Sequence, residues 1–177
     1  MILPKISIKK ILYATDLSDS ARQALAFAVS LSHTYGAGIT IVHAIDESPG
    51  MDAAVRYHVG PQEWERIKKR TEDEARNMII AKQHEDNPAM TEALKHLFRN
   101  VAENFENQSF ILDDVVVKRG QPVDLIIETA ERLNCDLIVM GTQGHGRLAQ
   151  MFLGSTARKV MQQSKIPVLV VRLPESD

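Results

Sequence analysis

The stretch from Met140 to Thr156 holds the residues of this chain best suited to binding phosphate. It contains four of the nine glycines in the chain, placed around the end of one apolar run. Glycine lets backbone amides approach a ligand with no Cβ in the way. Gly154, Ser155 and Thr156 then open a new helical pattern, whose unpaired N–H groups and dipole favour an anion. We therefore predict a phosphate-binding loop that ends on a helix.

Apolar runs separated by helical patterns indicate the scaffold that holds this loop. Continuous apolar runs are typical of parallel strands that are covered on both faces. Five such runs predict β1 to β5: Ile11–Ala14, Ile39–Ile45, Val115–Val117, Leu137–Met140 and Pro167–Val171. Strands that alternate with helices in this way predict an open parallel sheet with helices on both faces.

Helix boundaries are marked by residues with specific capping roles. Ser18 is the predicted N-cap of the first helix, and Gly36 ends it. The helix after the third strand follows Gly120-Gln121-Pro122 and stops at Asn134.

The middle of the chain is less regular. Asp46–Gly60 has no sustained period and predicts a mobile loop over the C-terminal ends of the strands. Pro61 begins a helical pattern that Pro88 is predicted to break. A second amphipathic helix follows, with an apolar stripe of Met90, Leu94, Leu97, Phe98, Val101 and Phe105.

These elements predict one domain over residues 1–177, a Rossmann-like α/β fold with strand order 3-2-1-4-5. In that order the strand ending before Asp16 lies beside the strand ending before Gly141. Ligands of such sheets bind at the carboxyl ends of the strands, where the order reverses. A carboxylate opposite a glycine-rich phosphate loop suits a nucleotide.

Two common nucleotide motifs do not fit. The string Gly-x-x-x-x-Gly-Lys-Ser/Thr of a P-loop is absent from the sequence. The segment Gly144–Ala149 has two of the three Rossmann fingerprint glycines, follows the fourth strand and has no acidic residue at the required distance.

Composition excludes several other classes. A net charge of −2 gives no basic surface for nucleic acid, and no apolar run has the roughly 20 residues of a membrane span. The chain lacks the pattern of a signal peptide, and its single Cys135 agrees with a reducing compartment, so we expect a cytoplasmic protein without membrane insertion. No histidines show metal-ligand spacing, and no metal site is predicted.

The loop spacing is Gly-x2-Gly-x9-Gly-Ser, from Gly141 through Gly144 to Gly154 and Ser155. This string resembles the nucleotide-binding signature of the universal stress protein family, and the likeness covers nearly the whole chain. The first strand with its acidic turn, the strand Ile41–Ala44 and the closing strand Ile166–Val171 are also similar to that family. A long segment from Glu72 to Phe110 departs from it and leaves the shape of that flank open.

The resemblance implies ATP, with or without Mg²⁺, as the ligand. It implies that Asp16 contacts the adenine or ribose end, that the backbone near His43 and Ala44 borders the base, and that the glycine loop and helix start hold the ribose and phosphates. The full candidate site is Ala14, Asp16, His43, Ala44, Met140, Gly141, Gly144, His145, Gly146, Arg147, Gly154, Ser155 and Thr156.

Several of these residues have a second interpretation. Asp16 is also a candidate helix cap, as is the pair Gly154-Ser155. Arg147 either binds phosphate through charge-assisted hydrogen bonds or is a solvated surface charge. His145 lies in the motif without a visible chemical partner.

The apolar strand Val168–Val171 is an edge strand in the predicted order, and exposed apolar edges favour pairing with another chain. We therefore expect a homodimer that pairs these strands across a twofold axis. A further protein partner stays open.

The favoured function is an ATP-binding stress or signalling module, whose bound and empty forms differ in the Asp46–Gly60 loop or in association. The alternative is a slow ATPase or a phosphoryl or nucleotidyl transferase using the same pocket. Fast transfer needs Lys or Arg clamps, and the motif carries no lysine and one arginine. A flavin or NAD carrier is a third reading of the same architecture.

Overall fold

A five-stranded, all-parallel sheet organises the chain. The computed structural model describes residues 5–45, 56–77, 88–104, 110–142 and 153–172. Its strands are β1 (Lys10–Ala14), β2 (Gly38–Ile45), β3 (Ile111–Arg119), β4 (Leu137–Gly141) and β5 (Val168–Val171). They lie in the order β3-β2-β1-β4-β5, and every pairing is parallel. The predicted sheet and strand order are therefore confirmed.

Besides a short helical segment at residues 56–59, five helices of the described residues connect or follow these strands. They are α1 (Asp19–Tyr35), α2 (Pro61–Asn77), α3 (Pro88–Asn104), α4 (Pro122–Arg132) and α5 (Ser155–Gln163). Pro88 is the first residue of α3, where a fixed φ and a missing N–H cost nothing. None of the helices in the described residues is long and apolar enough to cross a membrane.

The helices cover both faces of the sheet, which explains the uninterrupted apolar strands. Ile11 and Tyr13 pack on the face shared with α1, α2 and α3, whereas Leu12 and Ala14 pack on the face shared with α4 and α5. Successive side chains of a strand point to opposite faces. Both faces are therefore core, and a polar residue has no exposed side to occupy in the middle of β1.

The predicted helix boundaries are found in the structure. The Oγ of Ser18 accepts a hydrogen bond from the Ala21 amide at 3.2 Å and caps α1, which ends at Gly36 with φ 65°. Asn134, the predicted stop after α4, also has a left-handed backbone with φ 53°. Short polar or glycine residues tolerate this conformation, so local chemistry sets these ends.

Two predicted boundaries were wrong. β3 extends over Ile111–Arg119, beyond the predicted Val115–Val117, because two aspartates, Asp113 and Asp114, interrupt the apolar run in the largely exposed first half of this edge strand. Residues 56–59 of the predicted loop Asp46–Gly60 are helical, and residues 46–55 lie outside the described part of the chain. Phe105 of the predicted stripe also lies outside it, whereas Met90, Leu94 and Phe98 are buried core residues.

Candidate functional site

The crevice predicted from the strand order lies between the ends of β1 and β4. Ala14 pairs with Met140 at the last register position of these two strands. After β1 the chain enters α1 on one face of the sheet, and after β4 it leads to α5 on the other face. The two chains therefore diverge at this point, which is the topological switch where ligands bind in such sheets. The side chains of Ala14 and Met140 are buried in the core, so only their backbone faces the crevice edge.

The turn from β1 into α1 is held by side-chain hydrogen bonds to its own backbone. The Leu17 amide donates to Thr15 Oγ1 at 3.0 Å, and the Ser18 amide donates to Asp16 Oδ1 at 3.0 Å. Leu17 has φ 65°, a left-handed backbone that costs a side-chain-bearing residue about 1–2 kcal/mol. Such strain persists where surrounding contacts determine the conformation, and it is concentrated at ligand sites.

Asp16 contributes to this turn without capping the helix. Ser18 provides the α1 cap, while one carboxylate oxygen of Asp16 accepts the Ser18 amide two residues ahead. The predicted alternative, that Asp16 is the helix cap, is therefore wrong in detail: Asp16 orders the turn that leads to the cap. The half-buried Asp16 is the second residue after β1, at the crevice.

His43 connects β2 to the same turn. Its side chain is 1% exposed, and its Nδ1 lies 2.8 Å from the carbonyl oxygen of Thr15. The Thr15 amide donates to the Val42 carbonyl at 3.0 Å, which continues the β1–β2 pairing by one residue. The role of the His43 and Ala44 backbone at the base stays a prediction: Ala44 is half-buried, and the His43 ring is buried in the protein interior.

The two ends of the glycine loop are joined by one short hydrogen bond. The Gly154 amide donates to the Thr142 carbonyl at 2.7 Å, and the Thr142 amide donates to Val171 of β5 at 2.9 Å. The two residues that flank this segment, Thr142 and Gly154, therefore lie next to each other beside β4. Four predicted site residues, Gly144, His145, Gly146 and Arg147, lie in this segment and outside the described residues.

Helix α5 begins at the returning end of the loop without a side-chain cap. Gly154 is its N-cap, and the first helical bond runs from the Arg158 amide to the Gly154 carbonyl at 3.0 Å. The amides of Ser155, Thr156 and Ala157 precede that bond, so they belong to the group of helix-start donors with no intrahelical acceptor. Such amides attract an anion, because they lie at the positive end of the helix dipole.

Gly141 has a structural reason for lacking a side chain. A Cβ at this position would meet Ser20 of α1, at 2.8 Å from its carbonyl carbon and 3.0 Å from its Cβ. Contacts this short require the helix to shift. The sequence-based interpretation favoured ligand contact over a tight turn for this glycine, and the sequence carries no local signal for the Ser20 contact.

Burial also explains the two shifted pKa values near the sheet. Burial of the Tyr13 hydroxyl, which donates to the Ala21 carbonyl at 2.7 Å, raises its pKa. Burial raises the pKa of Cys135 from 9.0 to about 11, in agreement with the predicted packing role. Within the described residues, no three His, Cys, Asp or Glu side chains are grouped as metal ligands.

The chain is similar to known proteins over almost its full length. It is 28% identical over 172 residues to the universal stress protein MJ0577 of Methanocaldococcus jannaschii, covering 97% of this chain and 99% of the relative. A universal stress protein of Thermus aquaticus is 31% identical over 164 residues, with 93% and 98% covered. The solved structure of MJ0577 aligns with a TM-score of 0.63 at 27% identity, covering 97% of this chain and 100% of that structure.

More distant structures share the fold and were solved with adenine nucleotides. A universal stress protein in complex with cAMP has a TM-score of 0.51 at 21% identity, covering 94% of this chain and 98% of that one. One from Archaeoglobus fulgidus with dAMP has a TM-score of 0.52 at 18% identity, with 94% and 99% covered. A family protein from Arabidopsis thaliana with AMP has a TM-score of 0.51 at 17% identity, with 93% and 91% covered.

The predicted family assignment is tested most directly by the sequence profile. The sequence profile of the universal stress protein family matches residues 7–172. This range includes all five strands and both sides of the crevice. On this match, and on the relatives above, the chain belongs to the universal stress protein family.

Proposed function

We propose that this protein binds ATP in the crevice between the β1–α1 turn and the β4–α5 loop, and that binding changes its conformation or association in a stress response. The observation that carries this proposal is the uncapped start of α5, tied beside the end of β4 by the Gly154–Thr142 hydrogen bond. It offers three first-turn amides to a phosphate group at the strand ends.

The two sides of the crevice suit the two ends of a nucleotide. Asp16 lies just beyond β1, and His43 and Ala44 lie near the C-terminal end of β2, where adenine and ribose would offer hydrogen-bond donors. Ser155 and Thr156 lie at the α5 start, where phosphates need donors. The cAMP, dAMP and AMP complexes of family members share adenine and phosphate, which supports the same ligand class here.

ATP extends this class by two phosphates, and the loop that carries Gly144, His145, Gly146 and Arg147 supplies the additional contacts in our proposal. Mg²⁺ would accompany the triphosphate and neutralise part of its charge, since this cation keeps water ligands and binds through substrate phosphates. It needs no dedicated cluster of protein carboxylates.

A slow ATPase or transferase is the second candidate function. Efficient phosphoryl transfer requires a positioned nucleophile or base and several charge clamps. In the described part of the crevice, the carboxylate of Asp16 lies just before α1, and it already accepts a hydrogen bond from the Ser18 amide. We therefore propose that the protein is a binding module of the cytoplasm. Its ATP turnover should be slow compared with the median enzyme turnover of about 10 s⁻¹.

Calorimetry with ATP, ADP, AMP and GTP tests the proposal directly. We expect saturable one-site binding of the adenine nucleotides and weaker binding of GTP. Mass spectrometry of the small molecules released from freshly purified, denatured protein checks for a retained nucleotide. Absence of binding to all adenine nucleotides, or release of a flavin or NAD, would exclude the proposal. ATP turnover near the enzyme median would favour the second candidate.

The association part of the proposal rests on β5. This strand lies at the edge of the sheet, pairs only with β4 among the described strands, and carries four consecutive apolar residues. We infer a homodimer in which two β5 strands pair antiparallel about a twofold axis. An additional protein partner that senses the nucleotide state completes the signalling role.

A further inference from the structure

The buried imidazole of His43 makes a hydrogen bond whose direction is determined by its partner. Nδ1 lies 2.8 Å from the Thr15 carbonyl oxygen, in a region where the His43 side chain is 1% exposed. A carbonyl oxygen only accepts hydrogen bonds, so Nδ1 must carry the proton. The bond joins residues 28 positions apart and connects the end of β2 to the first residue after β1.

We propose that His43 is a positioning residue of the nucleotide site, which acts through Thr15 to orient Asp16. The proposal rests on the nucleotide-binding function proposed above. It differs from the sequence-based interpretation, in which His43 was placed at the base through its backbone, because here the buried ring acts on the turn.

The planarity of the peptide bond explains how the contact is transmitted. The Thr15 carbonyl and the Asp16 amide belong to one planar trans unit, so they point in opposite directions. When the His43 ring holds the carbonyl toward the interior, the Asp16 amide must point away from that ring. A rotation about the Thr15 Cα–C bond that is not compensated at φ of Asp16 would break the His43 bond and turn both the amide and the Cα–Cβ bond of Asp16 out of place.

The turn needs such a contact because its backbone is strained. Leu17 has a positive φ of 65° although it is a bulky residue, and it is buried in the core beside α1. The bonds from Leu17 to Thr15 Oγ1 and from Ser18 to Asp16 Oδ1 hold the turn from within. The His43 and Val42 contacts hold it from the neighbouring strand. Loss of the His43 contact should therefore populate relaxed turn conformations that bind nucleotide poorly.

Two variants of His43 separate this role from general stability. His43→Leu keeps similar volume and removes the donor, whereas His43→Asn places an amide N–H near the position of Nδ1. We expect AMP and ATP affinity, measured by calorimetry, to fall by about tenfold or more in His43→Leu, since only the competent fraction binds. We expect His43→Asn to bind within about threefold of the wild type by the same relation.

Ile39→Val is the matched control. Ile39 lies on the same strand and the same buried face as His43, at the opposite end of β2 from the turn. Its substitution should lower thermal stability and leave nucleotide affinity unchanged. A loss of affinity in Ile39→Val equal to that in His43→Leu would overturn the proposal, because instability alone would then explain it.

Nitrogen-15 NMR of the His43 ring gives a readout that does not require a folded variant. We expect Nδ1 to be protonated in the wild-type protein, and an unprotonated Nδ1 would overturn the proposal. Wild-type affinity in His43→Leu, or equal losses in the Leu and Asn variants, would also overturn it while leaving nucleotide binding intact. If the wild-type protein bound no adenine nucleotide, the proposed function would fail, and this inference with it.

Discussion

Gly141 at the end of β4 packs directly against Ser20 in the first turn of α1. A Cβ on Gly141 would lie 2.8 Å from the Ser20 carbonyl carbon. The glycine that begins the phosphate motif therefore also lets α1 approach the sheet beside the crevice. Helix packing depends on this position, as does nucleotide binding in our proposal, so substitutions must be interpreted with both in mind.

Gly141→Ala should destabilise the fold as well as the site. Forcing a methyl group into this contact should lower the free energy of unfolding by about 1–3 kcal/mol, as overpacking typically does. Urea denaturation measures the change. Adding Ser20→Gly removes the Ser20 side chain from the contact and should recover part of the loss. Full stability with abolished ATP binding would show that Gly141 serves the ligand alone.

Gly154 offers the opposite case. Its φ of −57° and ψ of 152° are open to any residue, so the backbone does not require glycine there. Gly154→Ser adds a helix-capping hydroxyl and should raise the free energy of unfolding by a few tenths of a kcal/mol. The same hydroxyl bonds the amides proposed for phosphate, so we expect ATP affinity to fall. Gly154→Val should abolish ATP binding without unfolding the protein.

Thermal melting and ATP calorimetry on both Gly154 variants check these results. Unchanged ATP affinity in Gly154→Val would remove the α5 start from the proposed site.

Asp16 and Ser18 should separate ligand binding from helix capping. Asp16→Asn keeps an oxygen to accept the Ser18 amide and removes the charge, so ATP affinity should fall about tenfold, the effect of weakening one charged hydrogen bond. Ser18→Ala removes the α1 cap and should cost about 1 kcal/mol of stability with unchanged ATP affinity. Normal ATP binding in Asp16→Asn would assign the carboxylate to the turn alone.

The dimer proposal can be tested at the outer edge of β5. The carbonyl groups of Pro167 and Val171 accept hydrogen bonds from the β4 side of the sheet. Because backbone groups of successive residues point in opposite directions along a strand, the Val170 amide points to the open edge. Val170→Pro removes that donor and should yield monomers by light scattering at micromolar concentration. Ile111→Lys, on the exposed opposite edge strand, should remain dimeric. A monomeric wild type would contradict the proposal.

Cys135 should react slowly with alkylating reagents. Its pKa is raised from 9.0 to about 11 by burial, and the thiolate is the reactive form. At pH 8 the two-unit rise alone should slow iodoacetamide labelling about 100-fold relative to a cysteine of ordinary pKa. The rate should increase with pH beyond 9 and become ordinary in denaturant. Because the chain has one cysteine, mass spectrometry of the intact protein gives the rate directly.

Much of this protein can be predicted from sequence because the relevant physics is local. Apolar runs specify strands covered on both faces, as buried Ile11 and Leu12 show on opposite sides of β1. Ser18, Gly36 and Asn134 end or begin helices through their own chemistry. The winding rule for such units then places β1 beside β4, and with it the crevice between Asp16 and Gly141.

The remaining features depend on contacts between residues far apart in the chain. Nothing near Gly141 in the sequence indicates Ser20, and nothing near His43 indicates the Thr15 carbonyl. The first half of β3 is extended because β2 pairs with it, although its residues are mostly exposed and include two aspartates. The sequence by itself determined the sheet and its helix ends, and it predicted the phosphate loop. Only the tertiary structure decided which glycine packs a helix and which histidine holds the turn, because those roles exist only once distant strands are side by side.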